Sequence, residues 1–178
     1  MAIKTMKLNE GNGQYTEGWH TVEIIKALYS QWKESRVLDV WFKDYPDTFK
    51  TRIFPAFNKE TNEEFAVARL FKIANAGILS VLKDANGKNP IIQYDDGEEH
   101  LVGKQVNIFL YKELGTDGKE YSRAFNRFAP VTQEGEHLSY TSDDVEYHKK
   151  KIEDAYKKYE AKKSNKPAVN NEPFNNQF

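Results

Sequence analysis

Cysteine is absent from this 178-residue chain, which rules out a disulfide framework and a thiolate zinc site. No apolar run approaches the roughly 20 residues that a membrane-spanning helix needs. The opening segment Met1-Ala2-Ile3-Lys4-Thr5-Met6-Lys7 lacks the apolar core of a secretory signal, so a cytoplasmic protein is expected. Neither a Walker-type phosphate loop nor a dinucleotide-binding glycine motif occurs. His20, His100, His137 and His148 are widely separated and suggest no metal-ligand spacing and no triad. Asp95, Asp96, Glu98 and Glu99 cluster around Gly97. Two-metal phosphoryl chemistry requires carboxylates held rigidly around ions about 3.5–4 Å apart, and a glycine-containing loop supplies no such rigidity. These acids read as a solvated loop, and no catalytic residue, metal or cofactor is expected. An excess of positive charge is also lacking. The net charge is −1, against the usual footprint of a generally basic nucleic-acid binder.

Aromatic residues, by contrast, make up 13% of a chain whose mean hydropathy is −0.79. Those rings either fill a core or work at a surface. Two neighbouring runs, Arg36–Lys43 and Thr48–Phe54, place large aromatics and cations on one alternating face. Successive side chains of a strand point to opposite sides. Leu38, Val40 and Phe42 then share one side of the first run, opposite Asp39, Trp41 and Lys43. In the second run Phe49, Thr51 and Ile53 lie opposite Lys50, Arg52 and Phe54. Rings that stack bases beside cations that meet phosphates are what sequence-tolerant binding to a single strand requires. A register slip of one residue would instead turn Trp41 and Phe54 into the core.

Residues 1–17 are polar and contain Gly11-Asn12-Gly13, and read as a flexible arm. A strand is predicted from Trp19 to Ser30. The runs 36–43 and 48–54, joined by Asp44-Tyr45-Pro46-Asp47, read as an antiparallel hairpin. Thr61-Asn62-Glu63-Glu64 carries a capping-box signature, and Val67, Leu70, Phe71, Ala74 and Ile78 follow at helical spacing, with Gly77 as a stop. Residues 83–100 read as a turn-rich acidic segment with a short edge strand at Ile91-Ile92. Strands are predicted again after Gly103 and over Glu120–Phe128. A second capping box, Thr141 with Asp144, opens a lysine-rich helix over 140–163. Residues 164–178 read as a disordered tail.

Three strands, a capped helix and two more strands is the order of a mainly β, five-stranded Greek-key oligonucleotide-binding (OB) barrel spanning 18–135. Such a barrel binds ligands on strands 2–3 and the flanking loops. The Lys104–Tyr111 strand, the Tyr121–Val131 segment and the tail ending in phenylalanine resemble phage- or prophage-encoded single-stranded DNA-binding proteins. The resemblance implies coating of exposed strands during phage DNA replication, recombination or repair in the host cytoplasm. It also implies docking of replication or recombination proteins on the tail, at Pro173, Phe174 and Phe178. Bacterial relatives of that kind end in an acidic segment closed by Pro-Phe, whereas here Glu172 is the only acid after Glu160.

The expected DNA-binding residues are Trp41, Lys43, Lys50, Arg52 and Phe54. Trp32 and Lys33, between strands 1 and 2, either clamp the ligand or cap the barrel end. Phe109, Tyr111, Lys112, Arg123 and Arg127 are secondary candidates on the last two strands, with Phe109 and Tyr111 alternatively lying under the helix or under the polar arm. The thin apolar stripe of the C-terminal helix leaves an oligomer open. Two rival readings share the fold: an adaptor that binds a protein partner through an apolar patch, and an RNA-binding barrel.

Overall fold

The protein is described from a computed structural model covering residues 15–164. The expected arm up to residue 14 and the tail residues Pro173, Phe174 and Phe178 lie outside the described residues. The strands are β1 (Gly18–Trp32), β2 (Ser35–Phe42), β3 (Lys50–Ile53), β4 (Ile78–Lys83), β5 (Pro90–Tyr94), β6 (Gln105–Leu114) and β7 (Glu120–Ala124). The helices are α1 (Ala66–Ala74) and α2 (Ser142–Ser164). A five-stranded antiparallel sheet runs in the order β3-β2-β1-β6-β7, and β4 and β5 form a separate two-stranded sheet.

β1 organises the main sheet because it serves two partners in succession. Gly18–Glu23 pairs with β6, and Ile24–Trp32 pairs with β2. The change of partner coincides with a bulge between Ile24 and Lys26. A bulge inserts one unpaired residue and bends its strand. It also resets the alternation: Val22 and Ile24 are buried, Ile25 is exposed, and Ala27 resumes the buried face. Lys33, at φ 52°, turns the chain directly from β1 into β2.

The core lies between the inner face of this sheet and α1. Ile24, Leu38, Val40, Phe42, Ile53, Val106, Ile108 and Leu110 meet Leu70, Phe71 and Ile73, with Phe128 added from beyond β7. α1 is only nine residues long, too short to hold itself together in water. Its packed face and its first turn hold it. Phe65 precedes the helix, and the Glu64 carboxylate accepts the backbone N–H groups of Ala66, Val67 and Ala68 at 2.7–3.1 Å. It also accepts Ala56 N–H at 3.1 Å, tying the incoming loop to the helix start. Thr61 instead turns back on Asn58 and Glu63, so the expected reciprocal box is replaced by Glu64 acting alone. The helix ends earlier than expected, at Asn75 in the left-handed region. Gly77 follows at φ 62°, where a Cβ would lie 2.4 Å from the Asp95 carbonyl oxygen.

Three further expectations are corrected. No ladder joins β3 to β7, so the sheet is not closed into a barrel. β3 and β7 are only four and five residues long, and side chains of α1 and Phe128 line the seam between them. The short edge strand expected at Ile91-Ile92 extends over Pro90–Tyr94 and pairs with β4, where the expected helix stop and turn give way to a strand. And Tyr15, assigned to the loose arm, is docked. Its N–H donates to Ser122 Oγ at 2.7 Å, and its ring packs on Tyr45 and Phe49.

α2 begins with the expected capping box, Thr141 N–H to Asp144 at 2.7 Å and Asp144 N–H to Thr141 at 3.2 Å. It then crosses the outer side of β6–β7, where Ile152, Tyr156 and Tyr159 pack with Trp19, Phe109, Tyr111 and Phe125. Glu64 supplies a directly testable contact. Replacing it with Ala should lower the unfolding free energy by about 1–2 kcal/mol, in the range of lost helix caps, measured by urea denaturation. An unchanged midpoint would contradict its capping role.

Candidate nucleic-acid interface

The outer face of β1–β2–β3 is set by register. Trp41 lies opposite Lys26 of β1 and Lys50 of β3. The Lys26 and Lys50 ammonium groups sit 4.6 and 5.2 Å from its ring centroid. The indole N–H donates to the Asp47 carbonyl at 3.0 Å, which fixes the ring against the β2–β3 turn. One pair further along, Asp39 lies opposite Leu28 and Arg52. Beyond them Trp32 closes the face at the β1–β2 turn, with the Arg52 guanidinium 5.0 Å from its centroid. Each contact is within the range of a cation–π attraction.

Asp39 joins these parts. It is only 3% exposed although it points to the outer side. Arg52 Nε and Nη2 donate to its carboxylate at 2.7 and 2.9 Å, Lys50 at 3.1 Å and Ser30 Oγ at 3.3 Å. The forked Arg52 contact is the geometry in which arginine is strongest and most directional. Chiefly the Arg52 hydrogen bonds, and secondarily Lys50, hold the Asp39 carboxyl below its ordinary value, against the opposing effect of burial. One carboxylate thus holds the two cations of β3, and through them both tryptophans.

Trp32, Phe54 and Leu28 are 48%, 47% and 42% exposed, and Trp41 is half-buried. Alternation leaves Lys43 on this side, exposed just past β2, with its backbone N–H bonded to the Glu23 carbonyl. The face therefore brings together Trp32, Trp41, Lys50 and Arg52, with Lys43 beside it, whereas Phe54, directly after β3, lines a groove against α1. Lys33, exposed at the turn, stands at the end of the face.

The secondary candidates do not join it. Phe109 and Tyr111 face α2, with centroids 5.1 Å from Tyr156 in each case. They are covered by that helix rather than open to a ligand. Arg123 lies opposite Tyr111 and pairs with Glu113 at 3.6 Å. Lys112 falls on the opposite side of β6 from Tyr111. Arg127 is exposed beyond β7 and lines the seam beside Phe54. The acidic segment is occupied with its own fold: Asp95 accepts Gly97 N–H at 2.9 Å and pairs with His100 at 3.1 Å. Among the described residues no group of His, Asp and Glu is arranged to hold a metal ion.

The sequence reading missed Lys26 and Leu28. Both sit after the bulge, where alternation carried forward from Ile24 assigns the wrong side. The adjacent apolar pair Ile24-Ile25 was the available signal, since two such neighbours in a half-buried strand mark a bulge or a second buried face. Arg69, on α1, and Phe65, just before it, also line the seam, and strand alternation gives no signal for either.

No family model and no curated protein matches this chain.

The Asp39 network has a pH signature. A carboxyl held below its ordinary value stabilises the fold fully above that value, 3.8, and loses the contribution as pH falls through the lowered one. Asp39→Asn should cost about 2 kcal/mol at pH 7, the scale of hydrogen bonds to a charged group. The gap to wild type should narrow steadily below pH 4, as seen in denaturant titrations at several pH values. A gap independent of pH would show that the charge of Asp39 is not what matters.

Proposed function

We propose that this protein binds single-stranded DNA, without catalysis, on the outer face of β1–β2–β3. The observation that carries this reading is the placement of two accessible indoles and several cations in register on one sheet face. Bases stack on indoles whatever their sequence, and each stacked base is worth about 1–3 kcal/mol. Lys26, Lys43, Lys50 and Arg52 stand where phosphates of a strand lying across the rings would pass. Asp39 offsets part of that charge, which fits a chain of near-zero net charge whose site is local.

The sheet order supports a finer reading of the fold. β3-β2-β1-β6-β7 is the pairing of an oligonucleotide-binding barrel left open between its last two edges, and the proposed face corresponds to its strands 2 and 3. The role in phage DNA replication, recombination or repair, and the cytoplasmic setting in a bacterial host, follow from the resemblance to phage single-stranded DNA-binding proteins. Docking of replication partners belongs to the tail.

Titration with fluorescent oligo-dT, oligo-rU and duplex at two salt concentrations tests the reading. Preference for oligo-dT, weakened by salt, is the expected result. Binding to oligo-rU of equal or greater strength would make the protein an RNA binder or a general single-strand binder. No binding to any of the three would favour a protein-binding adaptor that uses Leu28, Trp32 and Phe54 as its apolar patch. Trp41→Ala and Trp32→Ala should each weaken oligo-dT binding by about 1–3 kcal/mol while leaving the thermal melt in place. Unchanged affinity in both variants would remove the stacking platform from this face.

A further inference from the structure

Two grooves lie outside the tryptophan face and share residues with each other. The first, about 270 Å³, lies at the open seam and is lined by Phe54, Phe65, Arg69, Asn126 and Arg127 among others. Phe54 follows β3 directly and is 47% exposed, so the groove opens at the end of the strand that carries Lys50 and Arg52. The second, about 640 Å³, runs between α2 and the segment after β7. Arg127, Lys151, Lys158 and Lys162 line it against a single acid, Asp154, with Tyr159 and Phe125 as its aromatic wall. Asn126 and Arg127 line both grooves.

The basic residues of this route are poorly neutralised. Among the described residues, neither Arg69, Arg127, Lys158 nor Lys162 takes part in an ion pair. Arg69 stacks over Phe65 at 5.7 Å. Withheld solvent, and then the like charge of Arg127, hold its guanidinium below its ordinary range. Glu64 acts on Arg69 in the opposite sense, but no carboxylate lines the groove that Arg69 and Arg127 face, an arrangement that an anion relieves. This contrasts with β3, where Asp39 already occupies Lys50 and Arg52. α2 separates its duties by helical spacing. Ile152, Tyr156 and Tyr159 pack on the sheet, while Lys151, Lys158 and Lys162, at intervals of seven and four, line the groove. Three lysines of the predicted lysine-rich helix thus form one wall of a cleft.

We propose that the bound single strand continues past Phe54, over the Arg69–Arg127 seam, and along the lysine wall of α2, which serves as a second, phosphate-contacting segment of the site. This rests on the single-strand reading above. It adds that the helix beyond the sheet is part of the binding surface, and that Arg127, rather than Arg123 or Lys112, links the two segments.

The test uses the full chain and two oligo-dT probes, at the lower and upper ends of the about 4–16 nucleotides that one such barrel covers. The variant is Arg127→Gln/Lys158→Gln/Lys162→Gln, with Lys83→Gln on the β4–β5 ribbon as a control. All substituted side chains are exposed, and a thermal melt matching wild type confirms that the fold is kept. The triple variant should bind the short probe as wild type does and bind the long probe more weakly. For the long probe its salt slope should fall by about 2, at about 0.7 per lost phosphate contact. Equal losses on both probes, or no loss on the long one, would overturn the extended route while leaving the tryptophan face intact. Failure of the wild-type protein to bind either probe would overturn the single-strand reading itself, and the route with it.

Discussion

A buried carboxylate on the outer side of a sheet is the constraint around which this surface is built. Asp39 points away from the core yet is almost fully enclosed, because Arg52, Lys50 and Ser30 close over it. Burying a charge is costly unless it is paired and hydrogen-bonded, and here both conditions are met by neighbours on both adjoining strands. The consequence reaches beyond stability. Long cationic side chains on a sheet surface normally sample many rotamers. Those of Lys50 and Arg52 are held at a fixed point between two indoles, so the rings and charges form one ordered surface before any ligand arrives. Preorganisation of that kind removes part of the ordering cost that binding otherwise incurs.

The same constraint explains how a chain of net charge −1 can present the face proposed to bind nucleic acid. Charge is segregated rather than abundant. Asp39 offsets part of the β3 charge, Asp95 is engaged with its own loop, and Lys151, Lys158 and Lys162 of α2 line one groove beside the aromatic contact of that helix with β6. A nearly neutral protein with a local basic route is expected to respond to salt through a small number of phosphate contacts rather than through a long-range field.

Much of this was legible in the sequence. Alternation in 36–43 and 48–54 correctly separates Leu38, Val40, Phe42, Thr51 and Ile53 from Trp41, Lys50 and Arg52, because one side of that hairpin is mainly apolar. Both helices are announced by acids at their starts, although Glu64 caps α1 without the partner expected of it. What was not legible depends on tertiary geometry. The bulge at Ile25 moves Lys26 and Leu28 to the outer face, and no local rule fixes a bulge to one residue. Strand length decides whether a curled sheet closes, and the shortness of β3 and β7 shows only when their partners are known. Phe109 and Tyr111 follow the same alternation as Trp41 but differ in what covers them. The covering helix begins 31 residues after Tyr111, too far for pattern alone to place it.

The central claim is that the outer face of β1–β2–β3 is where single-stranded DNA lies. Ultraviolet crosslinking of the protein to oligo-dT, followed by mass-spectrometric mapping of the modified peptides, reads that position directly. The account predicts crosslinks at Trp32, Trp41 or Phe54 and none at Phe109 or Tyr111 beneath α2. Crosslinks confined to the β4–β5 ribbon or to other surfaces, with the tryptophan face unmodified, would contradict it.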